Sequence, residues 1–387
     1  MKIDTVGEKC FNCKACVCAC PTDAISMEYS EGDIFKYPHI NYDKCIECGK
    51  CSKVCPALKE RQTTYTIDKC YYGYHKNDDI RKKSSSGGAF RAIADQVINR
   101  RGIVYSAYLD YTDMTVKFGN TRDIPIDALM KSKYVESDVG DSFKNIKNDL
   151  DNGKYVLFSG TPCQVSGLKQ YLGKDYSNLF TVDFICHGLP AQKYFKEHCE
   201  YIEKKNKSKI SGFYFRPKTI GWTPQCLDIR FTNGSKKDVT YINDSYFYGF
   251  MSKNIYLRKC CYSCPYSDNH NSDITIADFW GHSKSGLDIK NDEKGLSLIL
   301  CNSKTGSEFL STVENDMVIV ECPSDVACYT IKKRVAQKDI LSQREEFISL
   351  CNKIGFEKAA KRTYMRGSLE SLLRSIKFKQ KINKYNR

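Results

Sequence analysis

Two cysteine-rich runs near the start of the chain have the spacing that binds cubane iron–sulfur clusters. Residues 10–20 read CFNCKACVCAC and precede Pro21, and residues 45–55 read CIECGKCSKVC and precede Pro56. Both follow the pattern C-x2-C-x2-C-x3-C-P, in which three thiolates of one run and the last cysteine of the other hold each cluster. The spacing predicts two [4Fe–4S] clusters and single-electron chemistry. The predicted ligands are Cys10, Cys13, Cys16 and Cys55 of one cluster, and Cys45, Cys48, Cys51 and Cys20 of the other.

Zinc and disulfides explain this spacing less well. Zinc sites usually combine two CxxC-like pairs that are separated by a dozen or more residues, whereas each run here has three cysteines and a Cys-Pro. Disulfides need an oxidising compartment, and the N-terminus lacks the apolar core of a signal peptide. We therefore expect a cytoplasmic protein with metal-bound or free thiols. Cys18 lies off the pattern and is interpreted as a packed thiol.

A loop rich in serine and glycine precedes a helical run. Residues 81–90 read RKKSSSGGAF. Backbone N–H groups at a helix start, with glycines that allow close approach, can cradle a phosphate, and the basic residues at 81–83 add positive charge. A plain cap and turn would have a similar composition.

Four further cysteines follow strand-like or turn-like segments. Cys163 lies in SGTPCQ, where a helix start should lower the thiol pKa and favour thiolate, and Cys186 ends the next strand. Cys261 and Cys264 form a C-x2-C pair. Spacing alone leaves two interpretations open, a further four-thiolate site or four unrelated buried thiols. Asp278, beside an apolar ITIA run, either serves a cofactor or caps a strand.

The elements that position these residues alternate between strand and helix. Residues 25–40 read as a hairpin between the cysteine runs. Residues 154–160 are an apolar run typical of a buried strand, and residues 161–172 follow with helical periodicity. Residues 102–110, 115–120 and 179–188 also predict strands, and this alternation favours an α/β fold. A chain of 387 residues suggests two or three domains, and no apolar run approaches the roughly 18 residues that span a bilayer.

The C-terminal segment is strongly basic. Residues 353–387 contain eleven Lys or Arg and two Glu, in a chain of net charge +14. Leucines, an isoleucine and a phenylalanine recur there at roughly helical spacing. Such a segment suits a membrane surface, an acidic partner or a solvated terminal helix. No base-reading motif accompanies the charge, so we do not expect nucleic acid as a partner.

A series of motifs in fixed order resembles one protein family. The motifs are SSSGGAF (84–90), SKYVESD (132–138), LFSGTPCQVSGL (157–168), ICHGLP (185–190), FRPKTIGW (215–222), CYSCPYSDNHNSDITIADFWG (261–281) and KGLSLIL (294–300). Together they resemble the flavoprotein beta subunit of coenzyme F420-reducing hydrogenases and dehydrogenases, here behind a ferredoxin. The resemblance covers roughly residues 70–330.

The resemblance implies FAD and one [4Fe–4S] cluster beside it. It implies that Lys133 and Tyr134 lie at the flavin, with Lys133 as the candidate catalytic residue. It leaves open which of Cys260 and Cys261 is a ligand, because the family commonly has serine at the first position. The residues implied for the FAD phosphates are Ser84, Ser85, Ser86, Gly87 and Gly88, and those implied for the third cluster are Cys163, Cys186, Cys261 and Cys264.

The combined prediction is an α/β chain with four parts. These are a small α+β two-[4Fe–4S] ferredoxin module (1–60), the first part of an α/β flavin-binding domain with the phosphate loop (61–145), its second part with the third cluster (146–330), and a basic helical tail (331–387). We expect an iron–sulfur flavoprotein oxidoreductase whose flavin exchanges hydride with coenzyme F420 or another organic substrate. Its clusters would exchange electrons with a soluble carrier or a partner redox subunit.

Two alternatives remain at this point. One is a ferredoxin-driven reductase of a polysaccharide or lipid-linked sugar intermediate, which the basic tail would hold at the inner membrane face. The other is a non-catalytic electron-transfer subunit of a larger complex.

Overall fold

The computed structural model describes residues 2–59, 66–219, 221–223, 225–289, 292–329 and 337–365, together with 376 and 380. Of Cys328 and Tyr329 only the backbone is described. The predicted basic tail (331–387) therefore lies partly outside the described residues. No helix in the described part of the chain is long and apolar enough to cross a bilayer.

The strands fall into three sheets. They are β1 (Ile25–Tyr29), β2 (Lys36–Ile40), β3 (Lys69–His75), β4 (Ile103–Asp110), β5 (Thr115–Asn120), β6 (Ser137–Asp138), β7 (Val156–Ser159), β8 (Leu179–Phe184), β9 (Ile210–Phe215), β10 (Cys226–Phe231), β11 (Lys236–Thr240), β12 (Ile274–Asp278), β13 (Ser297–Cys301) and β14 (Met317–Cys322).

Helices connect the strands and cover the sheets. They are α1 (Ala15–Ala19), α2 (Lys50–Lys53), α3 (Asp78–Lys83), α4 (Ala89–Asn99), α5 (Ile126–Leu129), α6 (Ser142–Asp151), α7 (Pro162–Leu172), α8 (Gln192–Asn206), α9 (Ser245–Tyr248), α10 (Lys304–Ser311), α11 (Ile340–Ile354) and α12 (Phe356–Thr363).

The N-terminal module is built on the predicted hairpin. Strands β1 and β2 pair antiparallel, with Ile25 opposite Ile40. These two side chains pack with Ile3 and Val6 against the cysteines of both runs. The prediction of a small ferredoxin-like module ahead of an α/β body is confirmed.

A nine-stranded mixed sheet forms the centre of the body. Its strand order is β14-β3-β13-β12-β8-β7-β4-β5-β6. Strands β12, β8, β7 and β4 run parallel, so their carboxyl ends meet at one edge. The predicted strands at 102–110, 115–120 and 154–160 and the helix at 161–172 are confirmed. Both predicted parts of the flavin domain contribute strands to this sheet.

One predicted strand is shorter in the structure, and one sheet was not predicted. The strand predicted over 179–188 ends at Phe184, because the chain then leaves the sheet to form a cavity wall. The antiparallel sheet β11-β10-β9 was not predicted from the sequence. Its aromatic residues, among them Phe213 and Phe215, join a core with α8, α9 and α11 that is assembled from distant parts of the chain.

Two buried arginines hold the N-terminal module against the body. The Arg258 guanidinium donates to Glu136 at 2.8 Å and to the backbone carbonyl of Lys36 at 2.9 Å. The Arg344 guanidinium donates to Asp33 at 2.6 Å and to the Leu257 carbonyl at 2.8 Å. Because ion pairs without access to water are costly to break, these contacts fix the module relative to the body.

A buried histidine anchors α12 to the body. The two ring nitrogens of His198 face Asp244, at 2.9 Å, and Glu357, at 2.5 Å. Burial opposes protonation, but these two carboxylates outweigh it and raise the pKa of His198 to about 10. The charged imidazolium therefore stabilises the fold fully below pH 6.5, the ordinary value, and this contribution is lost as the pH rises through about 10.

We expect His198→Leu to lower the free energy of unfolding by about 3–5 kcal/mol at pH 6, because it leaves two buried carboxylates without a cation. The difference from the wild type should shrink as the pH rises towards 10. Denaturant unfolding across this pH range measures it. The exposed His39→Leu is the control and should change little; a difference for His198→Leu that is independent of pH would contradict the assignment of charge.

Candidate functional site

A large cavity opens at the carboxyl ends of the parallel strands. It has a volume of about 610 Å3, within the range of roughly 300–1,000 Å3 that is usual for small-molecule sites. The start of α4, the segments after β7 and β8, the end of β12 and the segment after α5 line it. This edge is where open α/β sheets generally bind ligands.

The cavity brings together most of the residues that the resemblance implies for flavin. Ser84, Ser85, Ser86, Gly88, Lys133 and Tyr134 all line it. Gly87 packs behind the loop, where an added Cβ would lie 2.5 Å from the carbonyl oxygen of Gly73 and 2.6 Å from the backbone nitrogen of Ser297. A glycine is thus required there by close packing of the loop on β3 and β13.

The serine hydroxyls shape the loop. Ser84 Oγ donates to the Ile80 carbonyl and Ser86 Oγ to the Leu296 carbonyl, each at 2.8 Å. Ser85 Oγ accepts from the backbone N–H of Ser132 at 2.9 Å. The first N–H groups of α4 have no partner within the helix, so the backbone provides the donors for an anion.

Two cations hold this loop from behind. Lys218 Nζ donates to the carbonyls of Arg81, at 2.7 Å, of Lys294, at 2.6 Å, and of Ser86. Burial, followed by the nearby Arg81, lowers the pKa of Lys218 to about 7. Arg81, predicted to add charge to the phosphate cradle, is instead buried and forms a bidentate pair with Asp292. Its position behind the loop makes it a structural residue.

Lys133 occupies the cavity wall without a carboxylate partner among the described residues. Its Nζ donates to the carbonyls of Leu129, at 3.0 Å, and Met130, at 2.7 Å, which uses two of its three N–H donors. Burial, followed by the charge of Lys131, lowers the pKa of Lys133 to about 7. The side chain is therefore poised to gain or lose a proton near neutral pH.

Arg216 joins three segments of the cavity wall and was not predicted as a site residue. Its guanidinium forms a bidentate pair with Asp278, donates to Tyr134 Oη at 3.2 Å and donates to the Ser85 carbonyl at 3.2 Å. It also lies 5.1 Å from the ring centre of Trp280. Its backbone has φ 56°, a strained value for a residue with a side chain. The SKY motif, the serine loop and β12 are thus held in one arrangement.

The cavity suits a large anionic cofactor such as FAD. Its volume, the N–H groups at the start of α4 and the uncompensated Lys133 all favour a ligand that carries phosphates. The residues that would hold it are the serine loop, Lys133 and Tyr134. These assignments stay predictions.

Four of the predicted ligands lie near the cavity; we call Cys163, Cys186, Cys261 and Cys264 the third cysteine group. Cys163 lies in the first turn of α7, which a capping box of Thr161 and Gln164 starts. The thiols of Cys264, Cys186 and Cys261 all act electrostatically on Cys163, so the four are neighbours. Cys186 also lines the cavity. The structure therefore places a potential cluster site directly beside the potential flavin site.

The expectation that the helix start lowers the pKa of Cys163 is wrong for the free thiol. Burial, followed by the neighbouring cysteines, raises the pKa of Cys163 well above its ordinary value. A bound cluster would supply the positive charge that deprotonates these thiols.

The adjacent thiols of Cys260 and Cys261 contact each other and have different further partners. Cys260 Sγ donates to the Cys10 carbonyl at 3.3 Å, towards the N-terminal module. Cys261 Sγ accepts from the Leu189 backbone N–H at 3.4 Å, on the cavity side. This geometry favours Cys261 as the ligand.

The predicted ligands of the first cluster also lie together; we call Cys10, Cys13, Cys16 and Cys55 the inner cluster site. All four border one small cavity inside the module. The Asn12 backbone N–H donates to Cys10 Sγ at 3.4 Å, a contact typical of cluster ligands. Among the described residues no group of His, Cys, Asp or Glu is arranged for a single metal ion. Cubane ligands surround four irons and need not form such a group.

The remaining predicted ligands form the outer cluster site, which comprises Cys45, Cys48, Cys51 and Cys20. Cys45, Cys51 and Cys20 pack on the module's core, and Cys48 is exposed. Cys20 Sγ accepts from the Ala24 backbone N–H at 3.2 Å. Although burial opposes it, backbone donors from Thr22 and Ala24 lower the pKa of Cys20.

The inner cluster site packs directly on the third cysteine group. Phe11, between two inner ligands, packs with Cys163 and makes an edge contact with Tyr266 at 5.4 Å between ring centres. Cys13 lies so close to α7 that a Cβ on Gly167 would be 2.7 Å from Cys13 Cβ and 2.8 Å from its Sγ. The cavity, the third cysteine group, the inner site and the outer site thus form a continuous series.

We expect Gly167→Ala to destabilise the protein, because the new methyl group would displace Cys13. Helix propensity alone would stabilise α7 by about 1 kcal/mol, whereas overpacking costs about 1–3 kcal/mol. The sign of the change in the free energy of unfolding therefore shows which of the two effects is larger. Thermal unfolding and iron content of the holoprotein measure it, and both should fall. Gln170→Ala in the same helix is the control and should leave both unchanged; a stabilised Gly167→Ala would contradict the contact.

Some residues that line the cavity or hold its wall from behind were missed although they lie in the quoted motifs. Arg216 and Lys218 belong to FRPKTIGW, and Trp280 follows Asp278 in DFWG. The presence of a basic residue in a motif was the signal in the sequence that could have identified Arg216 and Lys218. Their partners are 60 or more positions away in sequence, and only the fold brings them together.

Comparison with known proteins agrees with the division into a module and a body. Residues 153–326 match the family described as the C terminus of the beta subunit of coenzyme F420 hydrogenase/dehydrogenase. Residues 9–58 match the 4Fe-4S dicluster domain family. The prediction that the first module carries iron–sulfur clusters is thus confirmed, and so is the resemblance of the body.

Individual relatives match mainly the module. The pyruvate synthase subunit PorD of Thermotoga maritima is 47% identical over 59 residues, which are 15% of this chain and 54% of the relative. The ferredoxin YfhL of Escherichia coli is 45% identical over 58 residues, which are 13% of this chain and 59% of the relative. The chain therefore spans little more than half the length of these curated relatives.

One solved structure resembles most of the chain. It is a xenon-derivatised F420-reducing [NiFe] hydrogenase complex from Methanosarcina barkeri, with a TM-score of 0.45 and 16% sequence identity. The match covers 77% of this chain and 97% of that one. At this similarity it supports no argument about function.

Proposed function

Because the chain joins a 4Fe-4S dicluster domain to the C-terminal region of coenzyme F420 hydrogenase/dehydrogenase beta subunits, we propose that it is an iron–sulfur flavoprotein oxidoreductase. It passes electrons between the ferredoxin-type clusters and a flavin in the cavity, and the flavin exchanges hydride with F420 or another organic substrate. The observation that carries this proposal is Cys186, which lines the cavity and also belongs to the third cysteine group.

Different residues serve hydride transfer and single-electron transfer. Bound flavin converts between a two-electron hydride and single electrons. The backbone of the serine loop binds the anionic end of the cofactor, and Arg216 keeps that loop in register with Tyr134. Lys133 holds or releases the proton that accompanies hydride transfer. The three cysteine sets carry single electrons between the flavin and the module surface.

Cofactor content is the first test. We expect about twelve irons and one FAD per chain after anaerobic purification. About eight irons and no flavin after reconstitution would contradict the proposal, because it would leave only the two module clusters.

Substrate-dependent flavin reoxidation is the second test. The isolated chain, reduced and then mixed with F420 under anaerobic conditions, should reoxidise its flavin. If the flavin and three clusters are present but no organic acceptor reoxidises the chain, it is an electron-transfer subunit whose catalysis lies in a partner.

A further inference from the structure

We propose that the exposed loop around the outer cluster site, residues 42–53, is the docking surface for a small acidic electron-carrier protein. The proposal rests on the proposed function, since it identifies where electrons enter or leave the series of cysteine sites. It adds the surface and the charge of the partner.

The series ends at this loop. Of the twenty cysteines whose burial the structure describes, Cys48 alone is exposed. In the third cysteine group and the inner cluster site every thiol is buried or half-buried, so the outer cluster site is the most accessible of the three to a protein carrier. Electron exchange with a second protein is therefore expected at the outer cluster site.

The loop exposes apolar side chains next to the predicted ligands. Ile46, between Cys45 and Cys48, is 64% exposed, and Tyr42 is 51% exposed. A large apolar side chain that is this exposed contributes little to the stability of the fold. Small transient interfaces commonly combine an apolar centre with a charged rim, and Ile46 provides such a centre.

The rim of the loop is basic. Lys44, Lys50 and Lys53 are exposed, and none of them has a carboxylate within salt-bridge distance in the described part of the chain. Glu47 is paired with Lys2 at 3.2 Å, which leaves Asp43 as the unpaired acid of the loop. The chain as a whole carries +14, so its long-range field also attracts an acidic partner.

The lysines have a specific purpose at this position. A cubane held by four thiolates is itself anionic and would repel an acidic carrier. Three solvent-facing lysines, each within two positions of a ligand in the sequence, offset that repulsion where the partner must come closest. Such a contact is small, fast and sensitive to salt, as exchange between redox carriers requires.

The test measures electron transfer from a small acidic plant-type ferredoxin to the flavin-loaded holoprotein. The ferredoxin is chemically reduced, desalted and mixed in a stopped-flow instrument at several salt concentrations. We expect the second-order rate constant to fall as salt rises. The triple variant Lys44→Glu, Lys50→Glu, Lys53→Glu should lose at least tenfold in rate at low salt and lose this salt dependence. Ile46→Ser should slow transfer without changing the salt dependence.

A charge-matched variant provides the control. Lys204→Glu, Lys237→Glu, Lys304→Glu changes the net charge equally at exposed positions elsewhere and should keep most of the rate. If both triple variants lose rate equally, or if the wild-type rate rises with salt, the docking proposal is wrong. A neutral sulfonated viologen should reduce all variants at the wild-type rate. If it fails to reduce the flavin even in the wild type, the proposed function fails instead.

Discussion

Replacing Cys163 by alanine is expected to remove about four irons per chain, one cluster's worth, and to leave the two clusters of the N-terminal module in place. Cys163 is the thiol whose pKa the other three members of the third cysteine group raise electrostatically. Three remaining thiols would leave one iron of the cubane without a protein ligand. Iron and acid-labile sulfide after anaerobic purification measure the change.

The same variant should also disconnect the flavin from the module. Because the third cysteine group lies between the cavity and the inner cluster site, reduced ferredoxin would still reduce the module clusters but not the flavin. Stopped-flow absorbance distinguishes the two reductions. We expect flavin reduction to slow by several orders of magnitude, the largest effect of any single substitution considered.

Matched substitutions make this prediction specific. Cys199→Ala removes an equally buried thiol from α8 and should leave the iron content unchanged. Cys261→Ala should reproduce the loss, whereas Cys260→Ala should not, because Cys260 Sγ is directed at the Cys10 carbonyl. Full iron content in Cys163→Ala would show that these four thiols hold no cluster.

The elements and sites that could be predicted from the sequence are those that depend on residues close together along the chain. The ligands of each module cluster follow from short spacings around a turn, so the two cysteine runs determine them without knowledge of the fold. The hairpin at 25–40 and the strand-helix pair at 154–172, in which helical periodicity follows an apolar run, form as predicted. The order of motifs, rather than their periodicity, indicated the body.

The parts that could not be predicted depend on contacts between distant segments. Arg216 acts through Ser85 and Asp278, which are 131 and 62 positions away. The sequence predicted that Arg81 belongs to a basic phosphate loop. Its partner Asp292, however, lies on a segment 211 positions away, and that segment helps to bury Arg81. The pKa of Cys163 was predicted with the wrong sign, because the helix start was visible in the sequence and the burial was not.

Replacing Lys133 by methionine is expected to slow substrate reduction by about 10²–10⁴-fold while flavin stays bound. Reduction of an organic substrate by hydride also consumes a proton. Lys133 lines the cavity, and carbonyl contacts to Leu129 and Met130 leave it one N–H for a ligand. Methionine keeps the length and apolar stem of the side chain but cannot donate that proton.

The pH profile separates this role from packing. Since burial lowers the pKa of Lys133 to about 7, the protonated donor is lost as the pH rises through 7, and the wild-type rate of substrate reduction should fall there. Lys133→Met should remove that inflection. Lys131, whose Nζ lies 4.7 Å from the centre of the Tyr214 ring, provides the control: Lys131→Met should keep the inflection but move it to higher pH, because the charge of Lys131 contributes to the lowered pKa of Lys133. A Lys133→Met variant with the wild-type rate and inflection would exclude Lys133 as the donor.

Stability of the flavin-free protein gives a second measurement that is independent of turnover. The folded-state pKa of Lys133 lies below its ordinary value of 10.5, so the folded protein holds an unfavourable buried charge below about pH 7. That cost disappears as the pH rises from 7 towards 10.5, and the wild-type protein should gain stability over this range. Lys133→Met carries no such charge and should be the more stable protein at pH 6.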